Sequence, residues 1–260
     1  MMIYHSYITG ILPVDEPVKF VATAGDAKMT LVAAVTPERI ADLWDGDPES
    51  LADRAYLRLR EEIIGVDLPP GTLLREEDLT RRLGVGRTPV REAVQRLHRD
   101  GFVTVIPRRG TLVSEINITD LAGIYEVRAH LESWAARLAA ERAGAAARAE
   151  AQALLRELED MTPGEGYEHL LALDRRIHRF AYRCAQNAHL AETLDQYHNL
   201  SLRILNVAMK RYPKLTPRLD DVVHDQRRLL EAIMRGDGLA AETAAAEHVT
   251  RFEGEIRKVI

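Results

Sequence analysis

The chain has 260 residues, 46% of them hydrophobic, which suits one large or two ordinary packed domains and excludes a disordered chain. A formal charge of −5 excludes wholesale polyanion binding, although an average of this kind still allows a local basic face. The single Cys184 excludes an intrachain disulfide and cysteine-based zinc modules. No run approaches the ~18 apolar residues of a membrane span and no signal peptide is visible, so a soluble cytoplasmic protein with no membrane partner is expected.

Residues 1–48 are mixed in composition, with prolines at 13, 17, 37 and 48 and no sustained period. They read as an N-terminal extension without assigned fold or role, with short strands expected around Lys19–Thr23 and Thr30–Val35. Residues 49–116 read as three helices and a strand pair. Ser50 with Asp53 is a capping pattern ahead of the stripe Leu51, Ala55, Leu59, Ile63, and Pro69-Pro70-Gly71 ends that helix in a turn. A short second helix holds Leu79 and Leu83 and stops at Gly84. Thr88 suits the N-cap of the third and Pro89 its first position, with Val90, Ala93, Val94 and Leu97 inward. Residues 102–105 and 111–114 then form a hairpin with the basic tip Pro107-Arg108-Arg109-Gly110.

Two short helices across the turn Gly84-Val85-Gly86 give helix-turn-helix geometry, and the second such helix enters the major groove with its N-terminal residues toward the bases. Here that end carries Arg87, Thr88 and Arg91. Arginine makes bidentate bonds to guanine, and threonine with the free N–H groups of a helix end suits phosphate. Residues 81–110 hold eight arginines against Glu92 and Asp100, a local charge of +6 within a chain of −5. A solvated arginine-rich helix pair is the bland alternative.

Residues 117–260 read as an all-α bundle of six helices at about 119–142, 146–161, 166–185, 188–211, 215–235 and 238–258, broken at Gly144, 163–166, Asn187, Pro213 and 236–238. Polar residues interrupt their apolar stripes. Arg128 lies on the seam Leu121, Ile124, Leu131, Ala135, Leu138; it either pairs with an acid such as Glu132 or clamps a ligand carboxylate. Asp174 and His178, four residues apart, project together from the buried face, as a hydrogen-bonded pair or as two ligands of a divalent metal. His248 lies within the stripe Ala245, Val249, Phe252, Ile256, and Gln226 within Leu219, Val222, Val223, Leu229, Ile233. His224 is about 200° from that stripe and faces solvent. Arg128, the Asp174/His178 pair and His248, three polar interruptions of apolar faces, point to a shared cavity. His130, His169, His189 and His198 are read as ungrouped, and Tyr125 and Trp134 as lining the cavity or a dimer contact.

The stretch LPPGTLLREEDLTRRLGVGRTPVREAVQRLHRDGFVTVIPRRGTLV resembles the DNA-binding domain of GntR-family regulators, over residues 51–114. The resemblance implies that Arg75, Arg87, Thr88 and Arg91 contact DNA and that the wing at Arg109-Gly110 touches the minor groove or backbone. Gly86 departs from the family's usual Ser or Thr. From Ile118 onward the segments YEVRAHLE, DRRIH and QRRLLEAIMRGD resemble the FCD ligand-binding domain of the FadR subfamily, in its six-helix VanR-type branch. Many such domains hold a divalent metal (Zn, Ni or Mn) through one Asp and three His, and the metal helps hold an organic acid. Here that maps to Asp174, His178 and His248, with Gln226 at the place of the missing fourth ligand. Either the metal is kept, with Gln226 or water completing the sphere, or the site has lost it and Gln226 with the histidines bonds the effector directly.

The expected protein is therefore mainly α, a winged helix-turn-helix followed by an all-α FCD effector domain. It acts as a homodimeric transcription regulator on a palindromic operator, most simply a repressor tuned by a small organic acid at Arg128 and Gln226. It is not expected to be an enzyme, because no nucleophile or general base separates from the ligand set. An architectural DNA-binding protein without effector is the other alternative.

Overall fold

The computed structural model describes residues 50–161, 167–212 and 219–258; the strands expected near 19–23 and 30–35, and the breaks at 163–166 and Pro213, lie outside them. Helix α1 (Leu51–Ile64) starts at Ser50, whose hydroxyl accepts from the Asp53 amide at 3.1 Å. Ala55, Leu59 and Ile63 are buried along its inner face, while Leu51 at the helix start is exposed.

The chain then adds β1 (Leu73–Leu74), α2 (Glu76–Leu83), α3 (Arg87–Arg99), β2 (Val103–Ile106) and β3 (Gly110–Val113). The sheet order is β1-β3-β2, all antiparallel, with Leu73 opposite Leu112 and Thr104 opposite Leu112 from the other side. The expected strand pair is thus a three-stranded wing. β1, two residues long, has no periodicity to betray it; it is held by pairing to β3 and by Leu74 in the core.

Gly84 closes α2 in the left-handed region at φ 67°, a conformation that glycine adopts without the Cβ penalty. The expected N-cap at Thr88 is corrected: Gly86 is the cap, extended at φ −69° and without a side chain to offer, so α3 starts at Arg87. Pro89 still falls in the first turn, where a missing N–H costs no intrahelical bond. Val90, Ala93 and Leu97 are buried against α1 in one core with Leu59, Ile63, Phe102 and Val113. At the wing tip Gly110 sits at φ 101°, with a hypothetical Cβ only 3.2 Å from Leu73, so only glycine fits this turn comfortably.

Six helices follow: α4 (Ile118–Arg142), α5 (Ala145–Asp160), α6 (Tyr167–Cys184), α7 (Ala188–Arg211), α8 (Leu219–Arg235) and α9 (Gly238–Arg257). Asn187 and Asp237 cap α7 and α9 by accepting from the amides of Leu190 and Ala240. Alanines of α4 and α9 (Ala136, Ala139, Ala140, Ala241, Ala244) let these helices approach closely, and leucines of α5, α6 and α8 fill the rest of that core. A second cluster packs Leu121 and Tyr125 of α4 on Ile204 and Leu205 of α7 and Val249 of α9. Leu202 of α7 enters the core of the DNA-binding part instead, so one helix serves both halves. Among the described residues, no helix is long and apolar enough to cross a membrane.

Candidate functional site

The four polar residues singled out on α6, α8 and α9 converge. Asp174, His178, Gln226 and His248 are all at most 5% exposed. His178 Nε2 and His248 Nε2 are 3.3 Å apart, and each lies 3.6 Å from an Asp174 oxygen. An ion about 2.0–2.1 Å from three donors in tetrahedral array would set those donors about 3.3–3.5 Å apart. The imidazole pair has that spacing, and Asp174 flanks it with a different oxygen toward each ring. Gln226 Nε2 donates to Asp174 Oδ1 at 2.5 Å and lies 3.3 Å from His178 Nε2, while its Oε1 is buried without a partner. Turning the amide over would aim that oxygen at the centre.

What stands behind the imidazoles matters as much. His178 Nδ1 lies 3.1 Å from Glu132 Oε2, and His248 Nδ1 lies 3.7 Å from Asp225 Oδ2. Metal-binding histidines use a carboxylate at the far nitrogen to keep the Nε2 lone pair toward the ion. Here Glu132 lies within reach of His178, whereas the Asp225–His248 contact is an ion-pair distance, too long for a hydrogen bond. Both carboxylates are buried. Burial alone would raise the Glu132 carboxyl, yet Arg128 and His178 outweigh it and hold Glu132 well below the usual range. Burial works to lower His178, but Glu132 and Asp174 raise it on balance. Asp225 is held down against burial by His248 and by Arg251, whose Nε is 3.0 Å away.

Glu132, His178 and His198 form a second grouping that could hold an ion by composition and proximity. The Arg128 guanidinium occupies it: Nε donates to Glu132 at 2.6 Å, Nη1 to Ser201 Oγ at 2.6 Å, and Nη2 lies 3.3 Å from His198 Nδ1. A fixed cation at that distance repels a second one, so of the two groupings found among the described residues the Asp174 triad is the better suited to a metal ion. Arg128 is 3% exposed, and the acid partner expected from the sequence is the one it has.

His198, read as ungrouped, belongs to this cluster; its ring centroid is 4.6 Å from that of His178. Burial, then the charges of His178 and Arg128, push His198 well below its usual range, so its Nδ1 faces Arg128 as a neutral acceptor. Its Nε2 is buried without a partner. The signal was present: residues 190, 194, 198, 201, 205 and 208 of α7 keep helical spacing and are all buried, with His198 and Ser201 among them. Asp225 follows the same logic, three residues after buried Val222 and four before buried Leu229. His224 is exposed, as expected. Tyr125 is fully buried under the Arg128 guanidinium, whereas Trp134 is 46% exposed.

At the other end, Arg75, Arg87, Thr88, Arg91, Arg109 and Gly110 are all exposed. Arg75 precedes α2, Arg87 and Thr88 open α3, and Arg91 follows one turn later. Glu76 of α2 lies between the two arginines of α3, 2.8 Å from Arg91 Nε and 3.9 Å from Arg87 Nε. The side chains of Arg87 and Arg91 stay 68% and 65% exposed beside it. Gly86 gives α3 no side-chain cap.

The family profile described as bacterial regulatory proteins of the gntR family matches residues 51–113, and that of the FCD domain matches residues 123–251. An uncharacterised HTH-type transcriptional regulator from the TAR-I ttuE-ttuC' intergenic region of Agrobacterium vitis is 37% identical over 158 residues, which cover 58% of this chain and 91% of that one. The probable D-xylose utilization operon transcriptional repressor of Paenarthrobacter nicotinovorans is 30% identical over 191 residues, 74% of this chain and 82% of that one. Among solved structures, E. coli McbR/YncC superposes with a TM-score of 0.70 at 24% identity, over 80% of this chain and 98% of that one, a likeness of fold. With both of its halves matched in order and its relatives regulators of this kind, the chain belongs to the GntR family of bacterial transcription regulators and carries an FCD domain after its helix-turn-helix.

Proposed function

We propose that this regulator binds a palindromic operator as a homodimer, and that a divalent metal at Asp174, His178 and His248 helps it sense a small organic acid. The observation that carries the metal half is the pair of imidazoles whose Nε2 atoms meet at 3.3 Å while a buried carboxylate backs each Nδ1. Unsupported, two such imidazoles beside a buried aspartate would be hydrogen-bonded core residues. The carboxylates placed behind them favour a ligand set. Two nitrogens and one carboxylate oxygen suit Zn, Ni or Mn, with the Gln226 oxygen or water completing the sphere. A bound metal would supply positive charge for an anionic ligand.

Arg128 adds a second cation next to that centre, and an effector carboxylate reaching it must share it with Glu132. That competition favours ligands with well-placed oxygens over simple anions. His198 Nε2 offers an unsatisfied donor on the same side. On the DNA side, Arg87, Thr88 and Arg91 would read the major groove, Arg75 the flanking phosphates, and Arg109-Gly110 the adjacent backbone or minor groove. Repression relieved by effector is the simplest outcome, and gene regulation rather than catalysis is the role.

The test couples the two ends. DNA selected from a random pool by the full-length protein should prove two-fold symmetric, and Arg87→Ala or Arg91→Ala should lose that preference. Adding a metal and a panel of hydroxy and dicarboxylic acids should change the affinity for the selected DNA by about 5–150-fold for one acid, the usual range of coupling. Selection of asymmetric or random DNA would reject the operator reading. Unchanged affinity across the panel would favour an effector-independent DNA-binding protein.

A further inference from the structure

Helix α1 of the DNA-binding part joins a largely buried ion cluster that nothing in DNA recognition requires. Glu61 is gripped by both terminal nitrogens of Arg175 from α6, each at 2.7 Å. Arg175 Nη2 also donates to Asn199 Oδ1 on α7 at 2.8 Å, and Asn199 Nδ2 donates to Asp195 Oδ2 at 2.9 Å. Asp195 accepts from Arg179 Nε at 2.7 Å and lies 3.4 Å from Arg60 Nη1. Arg60 Nη2 returns to Glu61 Oε1 at 3.1 Å and closes the ring. Arg60, Arg175 and Asn199 are at most 4% exposed.

The ring's members stand next to the sensing centre's members in sequence. On α6, Asp174 faces the centre and Arg175 faces Glu61; on α7, His198 packs against the ring of His178 and Asn199 faces Arg175. Neighbouring residues of a helix are rigidly 100° and 1.5 Å apart, so neither helix can adjust at the centre without moving the ring. The bonds are short. A displacement of about 1 Å, ordinary for a helix in a switching protein, takes a 2.7 Å bond beyond hydrogen-bond range. Further along, α7 also donates from Asn206 to the Ile64 carbonyl at 2.8 Å, at the C-terminal end of the same DNA-binding helix.

We infer that Glu61 is the positioning residue through which occupancy of the Asp174, His178 and His248 centre is transmitted to the DNA-binding domain, by way of Arg175 and Asn199. Glu61 is the carboxylate that both Arg60 and Arg175 contact, and it is the one member of the cluster that α1 contributes as an anion. The inference rests on the metal reading of the centre.

The test is amide hydrogen exchange of the full-length protein with and without zinc chloride, in the wild type, in Glu61→Gln and in the double variant Glu61→Gln/Arg175→Gln. The double variant keeps the cluster's net charge at the wild-type value, which guards against a folding defect in the single one. In the wild type, zinc should slow exchange in 167–184 and change the rate in 51–64 about 5-fold or more. In both variants the change in 167–184 should stay and that in 51–64 should vanish. A brace without a signalling role would shift exchange of 51–64 equally with and without zinc and preserve their ratio, and that outcome overturns the inference. So does a wild-type protein in which zinc slows 167–184 and leaves 51–64 untouched. If zinc alters nothing in the wild type, the metal reading itself falls and takes the inference with it.

Discussion

Protonating Glu61 should loosen the protein in a defined acid window. Burial opposes ionisation of this carboxyl, but the charges of Arg175 and Arg60 and two hydrogen bonds from Arg175 outweigh it and bring its pKa to about 2, against an ordinary 4.5. A depressed carboxylate stabilises the folded state above its unfolded pKa and loses that contribution as pH falls toward its folded one. The difference is worth about 3 kcal/mol above pH 4.5, and about 1 kcal/mol of it remains at pH 3. Glu61→Gln removes the titration while the cost of leaving Arg175 poorly paired stays independent of pH. Urea unfolding of both proteins from pH 7 to pH 3 should therefore show the wild type's advantage shrinking by about 2 kcal/mol. An advantage constant across that range would refute the reasoning, because it would mean that Glu61 is not held ionised by the ring.

Arg87→Ala and Arg91→Ala should each cost about 1–3 kcal/mol of operator discrimination in fluorescence anisotropy, with little effect on thermal stability because both side chains are exposed. Asp225→Asn removes the carboxylate behind His248 without touching a ligand and should weaken metal binding about 10–100-fold in competition with a chromophoric chelator. Gln226→His supplies an imidazole where the amide now points at Asp174 and His178, and should tighten zinc binding in the same assay; weaker binding would mean that Gln226 is not at the coordination sphere.

How far the sequence carried can be traced residue by residue. Ser50, Gly84, Asn187 and Asp237 mark helix ends because capping is a local chemical event, and the structure uses each of them so. Thr88 misled because a glycine already in extended conformation can start a helix without a side-chain cap. Asp174, His178, Gln226 and His248 were legible as polar breaks in apolar stripes, and the fold brings them together. His198 and Asp225 break their stripes in the same way but carry no motif, and nothing local says that α7 passes behind His178 or that α8 turns Asp225 toward His248. Arg60, Glu61 and Arg175 look like solvated charges in sequence. Arg60 and Arg175 are buried and Glu61 nearly so because the DNA-binding part and the helical part close over them, a fact that exists only in three dimensions.

Metal content tests the central claim most directly. Protein purified without a histidine tag or chelator should contain one equivalent of Zn, Ni or Mn per chain by elemental analysis, and His248→Ala should contain almost none. A wild-type protein free of these metals, whose melting temperature does not move when each is added, would contradict it.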